Sequence, residues 1–90
     1  MFDWSDEKDS LLRRERGVSF QDVIYHISQG DVLALSDHPN VEKYPNQRIM
    51  YVRMNDYVYM VPYVENDSGL FLKTIIPSRK ATKHYLEEKR

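Results

Sequence analysis

Two strand-forming runs, Arg48 to Met54 and Tyr57 to Val64, are separated only by Asn55-Asp56. So short a connection leaves the two strands one arrangement, an antiparallel hairpin of neighbours. Side chains alternate across a strand, so Tyr57, Tyr59 and Tyr63 share one face and Val58, Met60 and Val64 the other. One arrangement has the valine and methionine face meeting the helices. The tyrosine face is then open or covered by a partner, unless it forms a second small core under the last helix. Pro62 lacks an N–H and marks an edge or a bulge near the end of the second strand.

The rest of the chain supplies elements to pack on this hairpin. Met1 to Trp4 alternates weakly and reads as a short strand. Ser5 reads as a helix N-cap, with Asp6 and Glu7 in the first turn, where the helix dipole favours acids. That helix should run to about Arg16, with Gly17 at its C-terminal cap. A second helix starts at the cap Ser19. Phe20, Val23, Ile24 and Ile27 form one apolar stripe along it, and Gly30 ends it. Asp31 to Leu35 reads as a strand, and Ser36 to Gln47 as a loop marked by prolines and asparagines. After a turn over Glu65 to Gly69, Leu70 to Ile76 is the next strand. Pro77 cannot continue the ladder, and Ser78 caps a closing helix from Arg79. The expected fold is α+β, in the order β-α-α-β-β-β-β-α: a largely antiparallel sheet with two N-terminal helices and one C-terminal helix. Ninety residues make one domain, 1–90.

Composition removes several functions. With no cysteine there is no disulfide and no thiolate nucleophile or ligand. No apolar run reaches the roughly 18 residues of a membrane span, so no membrane role is expected. The acidic opening residues do not resemble a secretory signal, which makes the cytoplasm the expected location. Net charge is −1, so nothing draws the whole molecule to nucleic acid. The charges are nevertheless uneven. Residues 1–9 carry Asp3, Asp6, Glu7 and Asp9 against Lys8. Residues 73–90 carry Lys73, Arg79, Lys80, Lys83, Lys89 and Arg90 against Glu87 and Glu88.

The basic end coincides with the strand-to-helix junction Ile75 to Tyr85. At about 100° per residue, Ala81, Thr82, Tyr85 and Leu86 share one helical face, and Arg79, Lys80, Lys83, His84, Glu87 and Arg90 the other. Basic side chains beside the free N–H groups of a helix start suit a phosphate. Lys73 on the preceding strand can point the same way. Metal-free RNA cleavage needs proton transfer at two oxygens and cations to stabilise the phosphorane. His84 is the residue type most used for acid or base work and suits the first, and Arg79 and Lys83 suit the second. Read from spacing alone, this helix is better described as a solvated amphipathic surface than as a catalytic one. A second candidate region is the loop from Asp37 to Arg48. Tyr44 there offers a ring for base stacking, and His38, its Asn and Gln side chains and Arg48 offer polar contacts. Asp37, His38 and Glu42 match no metal-ligand spacing, so neither a metal nor a cofactor is expected.

Both ends of the chain resemble one family. Phe2-Asp3-Trp4-Ser5-Asp6-Glu7-Lys8 followed by Arg16-Gly17-Val18-Ser19-Phe20 is similar to the start of BrnT-like toxins. Those open with F-x-W-D-x-x-K and reach a [HR]-G-[VI]-[ST]-F segment at a comparable distance. Ile75 to Lys83 is similar to that family's closing I-I-S-A-R-x-A-[ST], with Pro77-Ser78 in place of its Ser-Ala. The middle of the chain does not match well. The resemblance implies a RelE/ParE-like fold and an RNA-cleaving toxin of a type II toxin–antitoxin pair. It also implies a cognate antitoxin that binds operator DNA as part of the complex. It singles out Arg79 as a phosphate-contacting or catalytic residue and, less directly, Lys83, which falls at a frequently basic position.

The expectation is therefore a metal-independent ribonuclease with Arg79, Lys83 and His84 as catalytic candidates. Lys73, Lys80, Tyr44, His38 and Arg48 are the RNA-binding candidates. The competing class is a non-enzymatic protein- or nucleic-acid-binding module of the same fold.

Overall fold

The computed structural model describes residues 1–87, so Glu88, Lys89 and Arg90 lie outside the described residues. The fold is α+β: β1 (Phe2–Asp3), α1 (Asp6–Arg16), α2 (Phe20–Ser28), β2 (Val32–Asp37), β3 (Gln47–Met54), β4 (Tyr57–Asn66), β5 (Gly69–Leu72), β6 (Ile76–Pro77) and α3 (Arg79–Thr82). A π-helical turn, Lys83–Glu87, continues α3. The elements follow the expected order, with one extra two-residue strand at Ile76–Pro77. The sheet order is β1-β5-β4-β3-β2, with β6 also pairing β4. Every pairing is antiparallel except β1 with β5.

Local chemistry accounts for the helix boundaries. The Ser5 side chain accepts from the Lys8 N–H, and Gly17 closes α1 in the left-handed region at φ 68°. Ser19 and Asp22 form a reciprocal capping box at the start of α2. Each satisfies an N–H that the helix cannot. Asp9 belongs to the acidic opening segment but serves structure. It is buried, accepts from the Phe20 N–H at 2.8 Å and pairs with Arg13 at 3.0 Å. It thereby ties α1 to the start of α2.

The hairpin turns at Asn55 and Asp56, with φ 56° and 59°. Two successive positive φ values match the right-handed strand twist, and Asn and Asp tolerate them better than most residues. Directly paired residues share a face, so Met50/Val61, Val52/Tyr59 and Arg48/Tyr63 lie on one side and Tyr51/Met60, Ile49/Pro62 and Arg53/Val58 on the other. The main core lies on the first side. There Leu12, Phe20 and Val23 from the helices meet Met50, Val52, Val61 and Tyr63, and Tyr59 packs against them. Trp4 stacks on Phe20 at 5.7 Å.

The hairpin is turned the other way from the arrangement that would leave its tyrosines open. The tyrosine face meets α1 and α2, with Tyr63 only 4% exposed. The face carrying Val58 and Met60 meets α3. Both faces of the hairpin are rich in apolar side chains, so alternation alone left their assignment open.

The strand expected from Leu70 to Ile76 is instead two short strands, β5 and β6, on the same side of β4. Pro62 explains the break. His38 donates its N–H to the Gln47 carbonyl, so in β3 the odd residues bond to β2 and the even ones to β4. Pro62, opposite Ile49, therefore directs its backbone away from β3, where it has a carbonyl but no N–H to offer. Lys73 donates to that carbonyl at 2.8 Å, and the ladder resumes only at Met60↔Ile76. Pro77 follows as the last ladder residue, pairing Tyr59. At the far edge the chain start lies against β5, where Leu70 donates to the Met1 carbonyl at 2.9 Å. Gly69, at φ 133°, permits this, since a Cβ there would fall 2.0 Å from the Met1 carbonyl oxygen.

Candidate functional site

Several hydrogen bonds hold the junction from Ile75 to Thr82. Arg16 of α1 donates through Nη1 to the Ile75 carbonyl at 2.5 Å. The Ser78 N–H donates to the Val58 carbonyl at 3.0 Å, docking the turn on β4. The Ser78 side chain accepts from the Ala81 N–H at 3.0 Å. The expected helix start is therefore in place. The Ala81 N–H, however, is bound by the chain's own cap, and only four residues are α-helical before the winding changes. The free helix end expected as a phosphate seat is thus short and partly satisfied. The side chains of this junction are therefore the main means it has to meet an anion.

Those side chains line a cleft of about 310 Å³ between α3 and the sheet. Its floor is Tyr51 of β3 and Met60 of β4. Its wall is Ser78, Lys80, Ala81, His84 and Tyr85, and Pro39 of the long loop closes one side. Tyr51 and Tyr85 meet at 5.7 Å between ring centroids, tilted by 45°. His84 sits edge-on to Tyr85 at 4.7 Å. A cleft of this size is at the small end of ligand sites. It joins two aromatic rings, an ammonium and an imidazole, a set suited to a base or sugar with a phosphate beside it.

The structure sorts the expected residues into groups. All four are exposed, but Lys80 and His84, four positions apart, line the cleft and Arg79 and Lys83 do not. The catalytic set Arg79, Lys83 and His84 is therefore not brought to one cavity. Lys73 is exposed at the end of β5, its ammonium 5.5 Å from the Phe71 ring centroid. Arg48 pairs with Asp37 at 3.5 Å and lines a larger cleft of about 540 Å³ with Val41, Asn46 and Glu65. That cleft opposes its cation with two carboxylates, which disfavours an anion. In the loop, Tyr44 is already engaged. His38 lies against it at 4.4 Å, and the Lys43 ammonium is 5.3 Å from its centroid. The Asn40 N–H donates to His38 Nδ1 at 3.0 Å. His38 and Tyr44 therefore brace the loop, and the loop's part of the cleft is Pro39.

Sequence reading missed Tyr51 and Met60 as cleft residues. Their signal was present, because Tyr51 is opposite Met60 in the hairpin and lies on the face that α3 covers. Arg53, two positions on from Tyr51, is exposed on that same sheet face. Among the described residues no group of acids and histidines is arranged to hold a metal ion, and no helix is long and apolar enough to cross a membrane.

Comparison with known proteins adds no identity: no family model matches the chain, and no curated protein or solved structure matches it significantly.

Proposed function

We propose that this protein is the toxin of a type II toxin–antitoxin pair, a RelE-like, BrnT-like ribonuclease that cleaves RNA without a metal and inhibits translation in the cytoplasm. The observation that carries the reading is the cleft in which Lys80 and His84 meet the Tyr51 and Tyr85 rings. The resemblance of both chain ends to BrnT-like toxins supports it.

In this reaction the 2′-oxygen of RNA attacks the adjoining phosphorus and the 5′-oxygen departs. A base takes the 2′ proton and an acid supplies one to the leaving oxygen. His84 places an imidazole in the cleft, a group able to both accept and donate a proton. Lys80 offsets the charge that builds on the phosphorane. Tyr51 and Tyr85 offer ring faces and edges to an unstacked base. Arg79 and Lys83, outside the cleft, would meet flanking phosphates of a longer strand. The antitoxin would cover this basic surface with an acidic segment, and operator DNA would be reached only through the antitoxin complex.

A second reading, a non-enzymatic binding module, is favoured by one observation: Arg79 and Lys83 do not converge with His84 on the cleft. Inducible expression separates the two readings. The toxin reading expects growth arrest and fragmented RNA with wild type, and intact RNA with His84→Gln or Lys80→Ala. Harmless expression with intact RNA would leave the binding module. Arg79→Ala is expected to weaken RNA binding and its salt dependence more than turnover.

A further inference from the structure

Thr82 is the best-anchored polar side chain of the closing helix and faces away from the cleft chemistry. It is 6% exposed. Its Oγ1 donates to the Ser78 carbonyl at 2.7 Å and accepts from the Val58 N–H at 2.8 Å. The Thr82 N–H also donates to the Ser78 carbonyl, at 3.0 Å. One hydroxyl thus joins the outer backbone of β4 to the first turn of α3.

Val58 faces outward from β4, since its carbonyl accepts from Ser78 rather than from β3. Its N–H has no strand partner there, and Thr82 satisfies it in place of a strand. A buried N–H without a partner is costly, so the helix turn is held at this depth and rotation. Helical winding changes directly after Thr82, from α to π. The Lys83 N–H reaches both the Arg79 and Lys80 carbonyls. Lys80 precedes this fixed point by two residues and His84 follows it by two. Their common entry into the cleft depends on where it is pinned.

We infer that Thr82 is a positioning residue: by bridging Val58 and Ser78 it fixes the depth and rotation of α3 on β4, which turns Lys80 and His84, neighbours at i and i+4, into one cleft. The inference rests on the cleft being the site proposed above. It touches no substrate and differs from simple packing, because threonine and valine fill nearly the same volume while only threonine makes the two bonds.

The test uses the full chain as wild type, Thr82→Val and Thr82→Ser. Serine keeps the hydroxyl and is expected to retain the wild-type geometry. Valine is expected to remain folded, to lose amide-exchange protection at Val58, and to lose cross-peaks between the Tyr51 and Tyr85 rings. The Lys80 and His84 resonances should shift as well. RNA cleavage by Thr82→Val is expected to fall at least about tenfold, while Thr82→Ser stays within about twofold. If Thr82→Val keeps the Tyr51–Tyr85 cross-peaks and the Lys80 and His84 shifts of wild type, the inference is overturned, whether or not the protein cleaves RNA. If the spectra change as expected but wild type leaves RNA intact, the positioning role stands and the ribonuclease reading fails. Should Thr82→Val fail to fold, Thr82→Ala, which also lacks the hydroxyl, decides the matter: loss of the same cross-peaks there with their retention in Thr82→Ser supports the inference, and unchanged cross-peaks overturn it.

Discussion

The two faces of the β3–β4 hairpin are built from alternate residues of the same strands, yet they do different work. One face is sealed by α1 and α2, and Val52, Val61 and Phe20 are fully buried there. The other is covered by α3, a single α-turn followed by a π-turn. Ile49 and Val58 are buried on that face, but Tyr51, Met60 and Tyr85 remain half-exposed around a cleft. A full-length amphipathic helix hides its stripe, whereas a short one covers part of a strand pair and leaves room beside it. Stability is therefore expected to concentrate on the first face and binding on the second.

Substitutions can break that division. Phe20→Ala should have the largest effect, lowering the free energy of unfolding by about 3–5 kcal/mol in a urea titration. It should not alter RNA affinity per folded molecule. Gly69→Ala, at the sheet edge remote from either helix layer, should cost about 1–3 kcal/mol through its forced backbone clash with Met1. A stability equal to wild type would show that the chain start is not held there. Ser19→Ala removes one side of the capping box and should cost about 1 kcal/mol. Tyr51→Ala should act in the opposite sense to Phe20→Ala, weakening binding of a single-stranded oligoribonucleotide by about 1–3 kcal/mol. If it unfolds the protein instead, the second face is a core and the contrast collapses. The smallest stability effect should come from Lys80→Ala, within about 0.5 kcal/mol. Its RNA affinity should fall and lose part of its dependence on ionic strength.

Much of the fold was legible because local chemistry decides it. Ser5, Gly17, Ser19 and Ser78 each satisfy or permit a backbone geometry within a few residues, so the helix ends stand where these residues predict. The Asn55-Asp56 turn and the fold order followed for the same reason. The break between β5 and β6 was not legible, because Pro62 and Lys73 are far apart in sequence and meet only across the sheet. Asp9 read as one acid in a charged run, yet its carboxylate is committed to the Phe20 N–H. The site was legible in part. The junction was identified, and Lys80 and His84 were among its candidates. Helical spacing grouped them with Arg79 and Lys83 on one broad face, and only the docking of α3 on β4 decides which of the two i,i+4 pairs enters the cleft.

What this sequence determined by itself is most of the elements, their order and the basic junction at the end of the chain. These depend on caps, turns and periodicities that act over one or two turns of backbone. Which face of the hairpin meets which helix is a tertiary decision, because both faces carry apolar and aromatic side chains and only the competition for burial under α1 and α2 separates them. The cleft follows from that competition. Tyr51 and Met60 lie on the face that α1 and α2 leave uncovered, and the hydroxyl of Thr82, bonded across to Val58, brings Lys80 and His84 to meet them there.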